Sequence, residues 1–245
     1  MATSVLLTRP ETQSRRFAQA LVTRFGAQVA PVIAPLQRIV PRPPLPPVPT
    51  GSQIVFTSEN GVAAFVALGG HAAGRLAWCV GRRTAEATGA AGFAVRTGPG
   101  DAAGLIAAIL AAGGDAPLVH LHGAHLSADV AAALRAAGRS AVGHVVYDQV
   151  ACTMAAAGVE RLAGTAPVVV PVFSARSGAL VAPYLAAAAA PVAIAAISPA
   201  VAAALRVQGV AATQVAARAD AAAMVDAVGT ILEAGSFLER RIGGR

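Results

Sequence analysis

The segment IVFTSENGVAAFV, residues 54–66, has the pattern of one strand-to-helix unit of an α/β protein. An apolar, β-branched run is followed by a short polar turn and then by an apolar stretch with helical spacing. A second segment, PVFSARSGALVAP, repeats this pattern at residues 171–183. Gly61 corresponds to Gly178, which lies 117 positions later. The two segments indicate that the chain contains a duplicated unit.

The similarity extends beyond these segments with the same offset. CVGRRTAEATGAAGF at residues 79–93 matches AISPAVAAALRVQGV at residues 196–210, so that Gly92 corresponds to Gly209. A looser match relates the opening LLTRPETQSRRF to HLHGAHLSADVA further along the chain. Because a constant offset over two motifs is improbable by chance, we interpret the sequence as a tandem duplication that forms two similar α/β lobes.

Short β-branched runs alternate with alanine-rich helical stretches along most of the chain, a pattern typical of parallel α/β sheets. Residues 41–51, PRPPLPPVPTG, contain six prolines and predict a stiff, extended connector. The predicted strands in the first half are Val5–Thr8, Gln28–Ile33, Gln53–Phe56, Leu76–Val80 and Ala94–Thr97. The predicted helices there are Glu11–Phe25, Gly61–Leu68, Thr84–Ala90 and Ala102–Ala112.

Composition excludes several classes of protein. Hydrophobic residues make up 56% of the chain and charged residues 13%, which excludes intrinsic disorder. The two cysteines, Cys79 and Cys152, cannot form a disulfide framework or a four-cysteine zinc site. All 19 basic residues are arginine, so lysine-dependent Schiff-base chemistry and a Walker-A phosphate loop are excluded.

We expect a protein of a reducing compartment, the cytoplasm. The opening residues MATSVLLTRP lack the charged and apolar segments of a signal peptide. Residues 186–205 carry no charge, but Pro191 and Pro199 interrupt them, so that a buried strand, a turn and a helix are predicted there rather than a membrane span.

Polar turns that follow strands and begin helices are the candidate binding sites. Residues 57–61 (TSENG) and 174–178 (SARSG) occupy equivalent places in the two halves, and so do residues 81–84 (GRRT) and 198–200 (SPA). Their hydroxyl groups either cap the helices or, together with free N–H groups and the helix dipole, bind an anion. Arg9 follows the first predicted strand, where it either pairs with Glu11 or lines a cleft.

Histidine and tyrosine side chains leave several alternatives open. His120, His122 and His125 suggest a metal site, but the nearest acid, Asp129, lies a helical turn away, so contact of a histidine with an anionic ligand is favoured. Residues 97–104 have GxGxxxG spacing, which does not match a dinucleotide loop, and Asp101 is explained as a helix cap. Tyr147 is either a packed hinge residue or a phenol that donates a proton to a leaving group.

Six motifs, taken in order, resemble the uroporphyrinogen-III synthase family. They are VLLTRPE, FTSENGV, VGRRTAEATGAAGF, AALRAAGRSAVGHVVYDQ, VFSARSG and AISPAVAAAL, and they extend from Val5 to about Leu232. The sequence departs from the family pattern in two places. In the loop that begins at Ser174, Ala175-Arg176 replaces the proline of the commoner Ser-Pro-Ser form and adds one residue, and Ala200-Val201 lacks the hydroxyls often found after Pro199.

The resemblance implies two flavodoxin-like, parallel-sheet α/β lobes joined by two extended connectors, with a cleft between them. One lobe comprises residues 1–38 and 149–245, the other comprises residues 50–145, and the connectors are residues 39–49 and 146–148. The implied reaction is cyclisation of hydroxymethylbilane to uroporphyrinogen III, with loss of water and inversion of ring D through a spiro intermediate. No metal or organic cofactor is implied.

The resemblance also implies that Tyr147 assists departure of the hydroxyl group. We expect a monomer that receives its substrate from hydroxymethylbilane synthase and binds neither nucleic acid nor membrane. The residues implied in substrate binding are Arg9, Thr57, Ser58, Glu59, Asn60, Arg82, Thr84, His122, Ser174, Arg176, Ser177 and Ser198.

Two alternatives to the enzyme come from the same features. A non-catalytic two-lobe protein could bind an anionic small molecule in the same cleft. The net charge of +7 alone would suit a nucleic-acid-binding protein, but no run of arginines exceeds a pair, which disfavours it.

Overall fold

The computed structural model describes residues 2–205 and 209–234, which divide into two compact units. Unit 1 consists of the described residues up to Arg38 and those from Ala151 onward, and unit 2 consists of Ile39–Val150. Residues 235–245, which we expected to belong to the first lobe, lie outside the described residues. Each unit has its own sheet and its own buried cores.

Strands and helices alternate along nearly the whole described chain. The strands are β1 (Thr3–Leu7), β2 (Val29–Ile33), β3 (Gln37–Pro41), β4 (Gln53–Phe56), β5 (Leu76–Cys79), β6 (Ala94–Thr97), β7 (Leu118–Gly123), β8 (Ala141–Ala151), β9 (Val168–Val172), β10 (Val192–Ala196) and β11 (Val210–Val215). The helices are α1 (Glu11–Phe25), α2 (Glu59–Ala67), α3 (Arg82–Ala90), α4 (Ala102–Ala112), α5 (Val130–Ala136), α6 (Ala156–Ala163), α7 (Ala175–Ala186), α8 (Pro199–Ala204) and α9 (Ala221–Ala234).

The sheet of unit 2 has the strand order β3-β8-β7-β4-β5-β6, and the pairs from β8 to β6 are parallel. Its two faces carry separate cores, because successive side chains of a strand point to opposite faces. Phe56, Phe65 and Phe93 pack on one face, while Trp78 and Leu105 belong to the core of the other face.

Unit 1 repeats this topology. Its parallel sheet has the order β11-β10-β9-β1-β2, which matches β6-β5-β4-β7-β8 strand for strand. Gly92 and Gly209 stand before the matching edge strands β6 and β11, and both adopt a φ of 90°, which favours glycine. The common strand order supports the duplication that the sequence indicates, and the α/β fold class with parallel sheets is confirmed.

Most predicted elements of the first half are confirmed within two residues. Helices α1 and α4 and strands β4 and β6 have the predicted bounds. α2 begins at Glu59 rather than at the predicted Gly61, because Ser58 caps it. β3 was not predicted: it ends at Pro41 and forms the edge of its sheet, where a missing N–H is tolerated.

The chain passes between the units inside strands. Residues 39–41 belong to β3 and residues 146–148 belong to β8, and these two strands are neighbours in the sheet. Residues 42–51 after β3 contain no helix or strand, as the proline run predicts.

The uncharged segment at residues 186–205 contains the fully buried strand β10 followed by α8, as expected from its prolines. None of the described helices combines the length and the apolar character needed to cross a membrane.

Gly61 sets how closely α2 approaches the end of β7. A Cβ atom at this position would lie 2.8 Å from the carbonyl oxygen of Leu121, which is closer than side-chain atoms pack. The first turn of α2, which carries the polar residues after β4, is therefore held directly against β7.

We predict that Gly61→Ala lowers the free energy of unfolding by about 1–3 kcal/mol, because the backbone of β7 must move. Gly89→Ala in α3 is the matched control, since the nearest atom to its Cβ would be 3.9 Å away. There the helix preference of alanine should raise stability by about 0.5–1 kcal/mol. Urea unfolding measures both, and equal effects would contradict the close approach of α2 to β7.

Candidate functional site

A cavity of about 330 Å³ lies at the carboxyl edge of the sheet in unit 2. Its walls are the turn after β4, Val80 at the end of β5, the turn before α4, the loop between β7 and α5, and β8 at Tyr147 and Gln149. In parallel sheets ligands bind at this edge, because polar turns and helix N-termini converge there.

The turn after β4 supplies hydrogen-bond donors and acceptors to this cavity. Thr57, Ser58 and Asn60 all line it. The Ser58 hydroxyl also caps α2, because its Oγ accepts a hydrogen bond of 3.1 Å from the backbone N–H of Asn60. Ser58 therefore both caps α2 and lines the cavity.

Tyr147 combines a packed ring with a hydroxyl at the cavity. The residue is 4% exposed, and its ring lies against Gly123, where a Cβ would approach it to 2.6 Å. The side chains of Ser58 and Asn60 hydrogen-bond its hydroxyl. Burial raises the pKa of Tyr147, and these two hydrogen bonds oppose that rise in part. The phenol is therefore protonated at neutral pH and available as a donor.

Two histidines occupy the same face of β7, as the strand period predicts. The ring centroids of His120 and His122 are 4.7 Å apart. His122 lines the cavity, and its Nδ1 lies 2.8 Å from the carbonyl oxygen of Gly123, so this nitrogen carries a proton and donates. His120 is 1% exposed, and its Nε2 lies 3.0 Å from Oγ1 of Thr57.

Burial lowers the pKa of His120 to about 4. The nearby His122 imidazole acts in the same direction, whereas the negative charge of Asp129 acts against it. His120 is therefore neutral at physiological pH. His125 also lines the cavity, but within residues 2–205 and 209–234 no group of three or more histidine, cysteine or acidic side chains is arranged to hold a metal ion.

Three predicted residues of unit 2 do not line this cavity. Glu59, in the first turn of α2, is not among the residues that line the cavity. Arg82, which we expected to add a fixed positive charge, pairs with Glu86 at 3.6 Å on the exposed side of α3. Thr84 is buried in α3, where its carbonyl accepts a hydrogen bond of 2.6 Å from the Thr88 hydroxyl. No arginine of the described chain lines the cavity.

The predicted residues of unit 1 lie at the carboxyl ends of three adjacent strands. Ser174 caps α7 by accepting from the N–H of Ser177 at 3.1 Å, and Ser198 caps α8. Ser177 is buried, and its Oγ lies 2.6 Å from that of Ser174. Arg176 belongs to the first turn of α7.

Arg9, whose role the sequence left open between pairing with Glu11 and lining a cleft, stacks its guanidinium group on an aromatic ring. Its Cζ lies 4.1 Å from the centroid of the Phe173 ring. Glu11 pairs with Arg15, one helical turn along α1. The cation is thus held beside the start of α7.

Several lining residues were missed by sequence reasoning. The spacing of residues 97–104 does not match a nucleotide loop, and Asp101 caps α4 as predicted, accepting from Gly104 N–H at 2.8 Å. The same turn, at Gly100–Ala102, nevertheless borders the cavity. Gln149 lies two residues after Tyr147 on β8, so the period of a strand was the signal that could have identified it. Leu126 and Ser127 carry no such signal, because loop positions depend on the tertiary fold.

Comparison with known proteins gives one family match and several structural matches. The family model described as uroporphyrinogen-III synthase matches residues 16–226. The crystal structure of the uroporphyrinogen-III synthetase from Helicobacter pylori is similar to this fold, with a TM-score of 0.65 at 15% identity, covering 94% of this chain and 100% of that one. A mutant uroporphyrinogen III synthase from Thermus thermophilus aligns with a TM-score of 0.48 at 16% identity, over 96% and 99% of the chains. No curated protein sequence matches this chain significantly.

The stability of the protein should depend on pH through His120. The unfolded chain takes up a proton at this residue near pH 6.5, whereas the folded protein does so only near pH 4. Its contribution to the free energy of unfolding is therefore fully present above pH 6.5 and is lost as the pH falls through this window, by about 3 kcal/mol.

Urea unfolding of the parent and of His120→Gln between pH 7 and pH 4 measures this contribution. We expect the difference in unfolding free energy between the two proteins to change across that range, while other titrating groups affect both equally. A constant difference would contradict a buried, neutral imidazole at His120.

Proposed function

The chain belongs to the uroporphyrinogen-III synthase family, and from this premise we propose that the cavity of unit 2 binds part of the substrate, with Tyr147 at the reacting centre. The enzyme is a cyclising lyase of tetrapyrrole biosynthesis. It converts hydroxymethylbilane, a linear tetrapyrrole, into uroporphyrinogen III with loss of water and inversion of ring D. The family match over residues 16–226 carries this assignment.

The reaction begins with loss of the hydroxyl group. Electrons from the adjacent pyrrole expel it as water once a proton is supplied, which leaves an electrophilic azafulvene. Ring D then attacks through a substituted carbon to give a spiro intermediate, which fragments and closes the other way round. Because unaided closure gives the uninverted type I isomer, the protein must hold the chain in one conformation as well as accelerate the reaction.

We propose that the Tyr147 hydroxyl donates a hydrogen bond to the departing hydroxyl group. Burial keeps the phenol protonated, which suits a donor. The hydrogen bonds from Ser58 and Asn60 stabilise negative charge that develops on the phenol oxygen as its proton moves to the leaving group. The packing of the ring against Gly123 fixes the direction of the hydroxyl. Little entropy is therefore lost in orienting it at each turnover.

The substrate carries eight carboxylates, and neutral donors are the groups proposed to bind those that enter this cavity. The hydroxyl groups of Thr57 and Ser58 and the imidazole of His122, all of which line the cavity, are the groups proposed to make these contacts. A hydrogen bond to a charged group contributes about 1.5–3 kcal/mol, so a few such bonds offset the entropy lost by a flexible tetrapyrrole.

We also propose that Arg9, Ser174, Arg176, Ser177 and Ser198 contact carboxylates of the substrate. The support is topological: these residues follow β1, β9 and β10, which correspond to β7, β4 and β5 in unit 2. Arg82 and Thr84 are left out of the proposal, because the first is paired in solvent and the second is buried within α3.

We infer further that the enzyme acts in the cytoplasm as a monomer that takes its substrate from hydroxymethylbilane synthase. Cys79 and Cys152 are free thiols, which suits a reducing compartment. Hydroxymethylbilane in solution closes spontaneously to the type I isomer. Rapid transfer of the substrate from hydroxymethylbilane synthase to this enzyme would limit that loss. Sedimentation analysis checks the monomer, and a dimer at micromolar concentration would contradict it.

The isomer of the product distinguishes the enzyme from a protein that only binds an anionic small molecule. Purified protein is supplied with hydroxymethylbilane, the product is oxidised, and the two porphyrin isomers are separated. We expect type III to predominate. Type I alone, at the rate of the unaided reaction, would favour the binding protein.

Tyr147→Phe should lower kcat by about tenfold or more, because the proton donor is lost. The folding free energy should change by only about 1 kcal/mol, since the ring remains packed. The matched control is Tyr184→Phe, the other tyrosine of the chain, whose hydroxyl accepts from the N–H of Met154 at 3.0 Å in unit 1. Its kcat should be that of the parent. Equal kcat in all three proteins would remove Tyr147 from the mechanism.

A further inference from the structure

His120 lies behind the wall of the cavity and acts on it through Thr57. It does not line the cavity, whereas Thr57 does. The 3.0 Å contact between Nε2 of His120 and Oγ1 of Thr57 joins the end of β7 to the turn after β4. The other ring nitrogen, Nδ1, is buried and has no hydrogen-bond partner within the described part of the chain.

This arrangement decides which nitrogen carries the proton. A neutral imidazole has one N–H donor and one lone pair. A buried N–H without an acceptor is less favourable than a buried acceptor without a donor. The hydrogen therefore resides on Nε2 and is donated to Oγ1 of Thr57, which leaves the lone pair on Nδ1.

The direction of this hydrogen bond determines what Thr57 can do. Because Nε2 carries a proton, the Thr57 hydroxyl cannot donate to His120. Its hydrogen is directed to another acceptor, and the open space beside it is the cavity. A carboxylate accepts hydrogen bonds and cannot donate them. A Thr57 hydroxyl whose hydrogen is directed into the cavity is therefore suited to bind an anionic ligand.

We propose that His120 is a positioning residue that fixes the Thr57 hydroxyl as a donor toward a carboxylate of the substrate in the cavity. This inference rests on the proposed binding of substrate in the cavity. It adds a residue that never touches the substrate and that the binding motifs of the sequence do not include.

The environment of His120 keeps this arrangement constant over the physiological pH range. Protonation of the ring would place a second N–H, at Nδ1, in surroundings without an acceptor. The imidazole of His122, whose centroid is 4.7 Å away, opposes protonation as well, and only Asp129 favours it. The pKa of about 4 is the consequence.

A double-mutant cycle tests the role through KM. Thr57→Val removes the hydroxyl at nearly constant shape, and His120→Phe removes the donor while keeping a ring. We expect each variant to raise KM by about tenfold, the effect of one hydrogen bond to a charged group, with kcat within about twofold of the parent. The double variant should show no further rise in KM, because both changes remove the same interaction.

The outcomes separate this inference from the proposed function. An unchanged KM in Thr57→Val would overturn the binding role of Thr57 itself. A raised KM in Thr57→Val with an unchanged KM in His120→Phe would overturn the positioning role alone. Additive effects in the double variant would also overturn it, because His120 would then act through another group.

Two further measurements do not require the fold to accept phenylalanine at position 120. His120→Gln carries an amide N–H near the position of Nε2, so its KM should return close to that of the parent, and a tenfold rise would contradict the donor role. Long-range ¹H–¹⁵N spectra of the parent protein distinguish the two neutral tautomers directly. The Nδ1–H tautomer at His120 would overturn the inference whatever the kinetics show.

Discussion

The pairing of β4 with β7 is the constraint on which the candidate site depends. The register sets Val55 opposite His120, although these residues are 65 positions apart in the chain. Two residues beyond Val55, Thr57 reaches the His120 ring, and Ser58 and Asn60 reach Tyr147. A slip of one residue would turn Thr57 and His120 to opposite faces of the sheet and separate them. Because Gly61 has no side chain, the first turn of α2 can pack directly on the backbone of β7.

The site lies where the buried interior of a parallel sheet meets its open carboxyl edge. The sheet itself is buried on both faces, so its strands are apolar and its rare polar side chains need partners. The carboxyl edge is open, and there the polar turns face a cavity. His120 and Tyr147 lie at the boundary: their rings are buried, while each is linked to a group that lines the cavity. Burial thereby sets the protonation of both residues, which keeps the imidazole neutral and the phenol protonated.

The described residues that line this cavity include hydroxyl, amide and imidazole side chains and one carboxylate, Asp101, but no arginine. If the proposed substrate binds here, this lining suits a molecule that must bind, change its connectivity and leave. A buried ion pair with arginine would hold one carboxylate strongly, whereas hydroxyl and amide donors distribute the interaction over several weaker contacts. In unit 1, Arg9 is held on the Phe173 ring beside the start of α7, and Arg176 lies in the first turn of that helix. The two units therefore share a strand order, but the carboxyl ends of their strands carry different side chains.

Sequence alone determined the alternation of strands and helices, the duplication and the family, because these depend on local spacing: the 117-residue offset, the helix bounds of α1 and α4, and the polar turns after β4 and β9. It also predicted Tyr147 and Ser58 as site residues, and both line the cavity. It could not determine that Arg82 turns to Glu86 in solvent or that Thr84 is buried, since either orientation fits the first turn of a helix. Only the tertiary structure decided that β3 joins the sheet edge, that Gln149 and the turn at Asp101 border the cavity, and that His120 meets Thr57. The physical reason is that these contacts join segments far apart in the chain, and strand register and helix packing, rather than neighbouring residues, set the distances between them.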